Sequence, residues 1–198
     1  MQSAALNYKL IKKIKDERFD VEHINQYHLM LHLGARDLQV GVVDSVENKM
    51  LLLEDFVFPS LASSEDLLHI LEQLFDDHAL LKAAFWKSVK ISIKNNRFVQ
   101  VPEVLFVEES KAEYLKFNAR IEEDEECIQS VINRQSQAAT VFTFPKELQE
   151  WLKKIYPGTN VVFLHQSAVV IEGVTRVSEH RKDSPLYIYV DPFKVHIL

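Results

Sequence analysis

From Tyr27 onward, apolar and polar residues alternate in a way that predicts strands. In "YHLMLHLG", Leu29, Leu31 and Leu33 share one face, and His28, Met30 and His32 share the other. This is the two-residue period of a half-buried strand. Gly34, Ala35 and Arg36 read as a tight turn. "DLQVGVVDS" puts Leu38, Val40 and Val42 on one face, "VENK" is a second turn, and "MLLLEDFVF" is a third strand stopped by Pro59. Three strands joined by short turns predict an antiparallel meander.

The period then lengthens. Leu67, Leu71, Leu74, Phe75 and His78 follow helical spacing behind a Ser63–Asp66 capping box. "WKSVKISIKNN" returns to a strand through Val89, Ile91 and Ile93, and Arg97–Val101 is short and extended. Pro102 opens a helical turn carrying Leu105 and Phe106, and Ser110 with Glu113 reads as the capping box of a second helix through Tyr114, Leu115 and Phe117. The acidic run Glu122–Glu126 reads as a solvated loop. "ATVFTF" is a strand, and Pro145 starts a third helix through Leu148, Leu152 and Ile155 that Pro157-Gly158 ends. "NVVFL" is a strand, and Val169, Val170, Gly173, Val174 and Val177 predict a last helix. After the polar "EHRKDSP", "LYIYVDPFKVHIL" reads as a hairpin turning at Asp191-Pro192-Phe193.

The order βββ-α-β-α-β-α-β-α, then ββ, implies a mixed and partly parallel sheet. It divides the chain into a solvated lead-in over 1–26, a main lobe over 27–183 and the start of a second lobe over 184–198. The lead-in carries Lys9, Lys12, Lys13 and Lys15 but no apolar signal core, so no secretory signal is expected.

Composition removes several chemistries. A net charge of −6 argues against nucleic acid as a partner, and no apolar run is long enough to span a bilayer. Cys127 is the single cysteine, so an intramolecular disulfide is impossible; a cytoplasmic location is expected. Only four glycines occur in 198 residues, against about fourteen at average usage. The glycine-rich loops that cradle phosphates are missing from the sequence.

Isolated candidates carry little chemistry. His28 and His32 share a strand face but stand about 13 Å apart along it, too far for one metal. Asp76-Asp77-His78 binds a cation only if the helix end turns back. Glu54 and Asp55 point to opposite faces of a strand. Asp44, beside Ser45, suits a turn. Cys127 lacks a nucleophile signature, and His165 with Ser167 are neighbours in sequence alone. Phe85, Trp86 and Trp151 are expected to pack in or cap the core.

The hairpins "YHLMLHLGARDLQVGVV" and "LYIYVDPFKVHIL" begin about 160 residues apart, as two openings of a repeated unit. This echo resembles the actin-like ATPase superfamily, whose duplicated βββαβα lobes each begin with a hairpin bearing an Asp-x-Gly phosphate turn. The chain is also similar to bacterial domain-of-unknown-function family 3822, which has that fold and no established activity. The resemblance covers most of the chain and rests on "FDVEHINQYHLMLHLG", "NKMLLLEDFVFP", "VQVPEVLFVEESKAEYLKFN" and "FTFPKELQEWLKKIYPG".

The resemblance implies an α/β fold of actin-like, ribonuclease H-like type: a five-stranded mixed sheet with helices on both faces, plus the first hairpin of an incomplete second lobe that continues past Leu198. It also implies two broken phosphate turns. His32-Leu33-Gly34 keeps the glycine without the carboxylate; Asp191-Pro192-Phe193 keeps the carboxylate without the glycine. Any ligand would lie near Gly34, Ala35 and Asp191. The expectation is a non-catalytic interaction or assembly protein with an unknown protein partner, no cofactor, and self-association through its terminal strand edge. The alternative is a divergent enzyme binding ATP and magnesium through Asp191 and Asp37 or Asp44.

Overall fold

The computed structural model describes residues 8–59, 61, 63–179, 186–190 and 195–197. A six-stranded sheet organises them. Its strands are β1 (Lys9–Lys15), β2 (Tyr27–Gly34), β3 (Asp37–Asp44), β4 (Met50–Val57), β5 (Ser88–Lys94) and, further along, β9 (Val161–His165). The spatial order is β1-β4-β3-β2-β5-β9. The meander β2-β3-β4 is antiparallel as expected, whereas β5 and β9 add in parallel beside β2.

Intervening segments form α1 (Ser64–Asp77), α2 (Ala79–Lys82), β6 (Phe98–Pro102), α3 (Lys111–Lys116), β7 (Glu126–Asn133), β8 (Ala138–Pro145) and α4 (Lys146–Ile155). After β9 come α5 (Gln166–Ser178), β10 (Ile188–Val190) and β11 (Val195–Ile197). β6, β8 and β7 make a separate antiparallel sheet in that order, and β10 pairs with β11.

The alternation in β2 divides the molecule. Leu31 and Leu33 meet Leu71 and Phe75 of α1 and Trp151 and Leu152 of α4, with the Phe75 and Trp151 rings 4.8 Å apart, edge to face. Burying such side chains is worth about 2 kcal/mol each. α5 lies over the opposite face, near Met30, Lys90 and Ser92. The capping box at Ser63 forms in both directions, through Asp66 N–H to Ser63 Oγ at 3.1 Å and Ser63 N–H to Asp66 Oδ2 at 3.2 Å.

Several expectations need correction. The main sheet has six strands, not five, because β1 forms within the segment expected as a solvated lead-in. Every β1 side chain is exposed, so the strand is held by backbone pairing with β4 and by an ion pair from Lys13, and leaves no apolar period to read. The "ATVFTF" strand joins the small sheet, with β7 beside it emerging from the end of the acidic run. There Glu126 is buried and takes an ion pair from Arg97, whose Nη2 lies 2.7 Å from Oε2. The Ser110 box does not form, and α3 has no side-chain cap. Phe85 is exposed, although Trp86 is buried.

His78 is no free helix terminus. Its Nε2 lies 2.6 Å from Glu54 Oε2, and Lys13 Nζ lies 2.6 Å from Glu54 Oε1. Glu54 is 1% exposed, so this cluster fixes β1 and the end of α1 onto β4. Burial opposes the charge on Glu54, but the hydrogen bonds from His78 and Lys13 outweigh it and hold the carboxyl below its ordinary range. A carboxyl lowered in the folded state gives its full stabilisation above its unfolded pKa of about 4.3 and loses it as pH falls through the folded value. We expect Glu54→Gln to cost about 2 kcal/mol at pH 7 in urea unfolding. The difference from the parent should shrink once pH drops below the carboxylate range; an equal difference at neutral and acid pH contradicts this role.

Candidate functional site

Gly34 closes β2, and the turn passes through Ala35 and Arg36 to Asp37 at the head of β3. Parallel pairing sets Lys94, the last residue of β5, opposite Gly34. Lys94 Nζ then reaches Asp37 Oδ2 at 2.5 Å, with side-chain exposures of 5% and 13%. A Cβ at Gly34 would overlap Asp37 Oδ1 and stand 2.5 Å from Lys94 Cε. Gly34 therefore serves the ion pair: the space over its Cα is filled by the chain's own Asp37 and Lys94 side chains. Ala35 is exposed at the tip of this turn. Asp191, with Pro192 and Phe193, lies outside the described residues.

The other candidates separate. Asp44 ends β3, seven residues from Asp37 at its start, which is about 23 Å of strand. Its Oδ1 accepts from Val46 N–H at 2.7 Å and Glu47 N–H at 2.9 Å, the expected turn role. These bonds, Glu47 first, hold its carboxyl low. His28 Nδ1 lies 2.7 Å from Ser88 Oγ, while His32 faces a cleft four residues along the same strand. Burial, followed by Lys90 and Lys87, pushes the His28 pKa down. Among the described residues, no three His, Cys, Asp or Glu side chains form a metal cluster. Cys127 is buried and donates to Phe144 O at 3.2 Å; burial pushes its thiol up to about 11, the reverse of an activated nucleophile.

His165 and Ser167 do meet, with Nδ1 2.7 Å from Oγ, and Ser167 N–H donates to the same Nδ1 at 3.2 Å. His165 is buried, caps α5 and stacks on Phe98 at 4.3 Å. The pair ties the small sheet to the end of β9 and does not open on solvent.

On the sheet face opposite α1, a cleft of about 830 Å³ lies between β2–β5, the β7–β8 turn and α5. Neither Gly34 nor Ala35 lines it. Its walls are mainly apolar, including Met30, Met50, Leu164 and Val169, and Gln166 and Asn133 are buried in it. Sequence reading missed these two and Lys94: Asn133 and Lys94 act through partners distant along the chain, and Gln166 is buried by the packing of α5 alone. The one local signal was the polar even face of β5, Ser88, Lys90, Ser92 and Lys94, which alternates with Val89, Ile91 and Ile93.

The order β4-β3-β2-β5-β9, with α1 and α4 on one face and α5 on the other, defines an actin-like lobe. A solved protein from Bacteroides thetaiotaomicron VPI-5482, described as having an actin-like ATPase fold and unknown function, superposes with a TM-score of 0.79 at 22% identity. The match covers 90% of this chain and 67% of that one. A propionate kinase from Francisella tularensis subsp. tularensis SCHU S4 overlaps 72% of this chain and 37% of its own at 11% identity, with a TM-score of 0.29. No curated protein matches. Residues 16–198 match the family described as "Protein of unknown function (DUF3822)", and the chain belongs to that family.

The packed turn makes Gly34 the least replaceable of the two glycines in the main sheet. Gly34→Ala should cost about 2 kcal/mol, because an ion pair must move. Gly41→Ala should cost clearly less, since its new Cβ would meet the flexible Met50 Sδ at 3.3 Å. Urea unfolding of both variants checks the order; equal costs contradict a filled turn.

Proposed function

We propose that this chain is a non-catalytic interaction or assembly protein built on an actin-like lobe. The observation that carries this reading is the Asp37–Lys94 pair closed over Gly34. Phosphoryl transfer depends on positioning phosphate and metal; here the first turn lacks the aspartate two residues before the glycine and is packed with side chains. The partner is a protein. The β10–β11 hairpin supports self-association: it forms its own two-stranded sheet and exposes Leu186, Ile188 and Val190. A buried lone thiol suits a reducing cytoplasm, and no helix among the described residues is long and apolar enough to cross a membrane.

One observation favours the alternative of a divergent protein binding ATP and magnesium. Asp37 Oδ1 is shielded and accepts no hydrogen bond among the described residues, and an opened pair would offer a lysine to phosphate and a carboxylate to a hydrated cation.

Thermal melting with ATP and magnesium separates the two readings. We expect no shift in melting temperature and no phosphate release. A rise at millimolar ATP that Asp37→Asn removes would establish the alternative. Light scattering tests the interaction surface: mass should grow with concentration, and a constant monomer mass contradicts self-association.

A further inference from the structure

The cleft beneath α5 is independent of the Gly34 turn and has its own polar interior. Gln166, the first residue of α5, is 1% exposed and lines the cleft, yet neither Oε1 nor Nε2 has a hydrogen-bond partner among the described residues. Asn133, at the end of β7, is 6% exposed. Its Nδ2 donates to Ala168 O at 3.0 Å, which fixes the amide's orientation and leaves Oδ1 shielded and unpaired in the same wall. Ser92 Oγ is also shielded and unpaired. Ser92 pairs with Leu164, two residues before Gln166, and Asn133 is bonded to the first turn of α5. These polar groups therefore gather at one end of the cleft, where α5 begins.

A buried amide without partners carries the full desolvation penalty of its groups. The unpartnered Gln166 amide, the half-partnered Asn133 amide and a hydroxyl at the end of an apolar cleft have the composition of a small-molecule site: apolar walls with a few convergent polar groups. Their chemistry selects the head group. Asn133 Oδ1 and Gln166 Oε1 accept, Gln166 Nε2 donates, and Ser92 Oγ does either. A carboxylate brings acceptors alone and would leave both acceptors unsatisfied. A primary carboxamide brings two N–H donors and one carbonyl acceptor. The lining side chains Lys90, Glu172 and Arg134 are half-buried or exposed, as is the His32 ring beside Ser92, so the head-group set proposed at Gln166, Asn133 and Ser92 is itself uncharged.

We propose that this cleft binds a small molecule with an uncharged carboxamide-type head at Gln166, Asn133 and Ser92, and an apolar body against Met30, Leu164 and Val169. The Gln166 amide is kept in an apolar wall because the ligand completes it.

Benzamide and benzoate, alike in shape and different in head, test this by two-dimensional NMR on the whole chain. Benzamide should shift the Gln166 side-chain signal and the Ala168 and Val169 amides, and benzoate should bind at least ten-fold more weakly. Gln166→Leu should lose benzamide binding at least ten-fold without lowering the melting temperature, because an unpaired buried amide is replaced by an apolar group. Ser92→Ala should weaken it several-fold. Benzoate binding as tightly as benzamide overturns the head-group assignment. Binding retained by Gln166→Leu, or no shift at α5 with either probe, overturns the site. Movement of the same signals on simple dilution of the protein shows that a second copy covers the cleft, and also overturns it.

Discussion

Strand β2 is the constraint from which the rest follows. It is hydrogen-bonded on both edges, antiparallel to β3 and parallel to β5, so neither its register nor its faces can slip without moving the whole sheet. The odd positions hold leucines against α1 and α4. The even positions, His28, Met30, His32 and Gly34, face the other way. The same register places Lys94 beside Gly34 and brings Asp37, three residues past that glycine, within reach of its ammonium. A one-residue shift of β5 would remove Lys94 from that face altogether.

The two faces consequently have different characters. Beneath the sheet, aliphatic and aromatic side chains close into a continuous core. Above it, among the described residues, α5 leaves a cleft whose buried amides are Gln166 and Asn133. At the C-terminal ends of the parallel strands, where open α/β sheets usually receive ligands, the Gly34 turn is instead sealed by a buried ion pair. The Lys94 ammonium and the Asp37 carboxylate are both largely shielded there, at side-chain exposures of 5% and 13%. An actin-like lobe arranged in this way carries an ion pair over the turn that closes its first meander strand.

The strands of the meander, α1 with its capping box, and the β5, α4 and β9 segments were legible because each follows a local period bounded by turn residues. β1 was not, because "KLIKKIK" is exposed on both faces, and it is held by backbone pairing and the Lys13–Glu54 ion pair, neither of which an apolar pattern records. β7 was obscured by the acidic run that leads into it. Membership of the second sheet was illegible as well, since nothing in "ATVFTF" distinguishes a partner of β7 from a partner of β9. For the site, the missing aspartate before Gly34 was visible in the sequence. The filling of the turn was not: Asp37 and Lys94 are 57 residues apart, Glu54 and His78 are 24 apart, and Asn133 meets α5 across 35. Such pairs carry no spacing rule and exist only once the register is set.

The proposed function turns on whether Asp37 and Lys94 close the Gly34 turn to phosphate. A crystal structure grown with ATP and magnesium tests it most directly. The account predicts Lys94 Nζ still bonded to Asp37 and no phosphate density against the backbone of residues 34–37. Phosphate density on that turn, with the pair parted and Lys94 turned to the ligand, would contradict it.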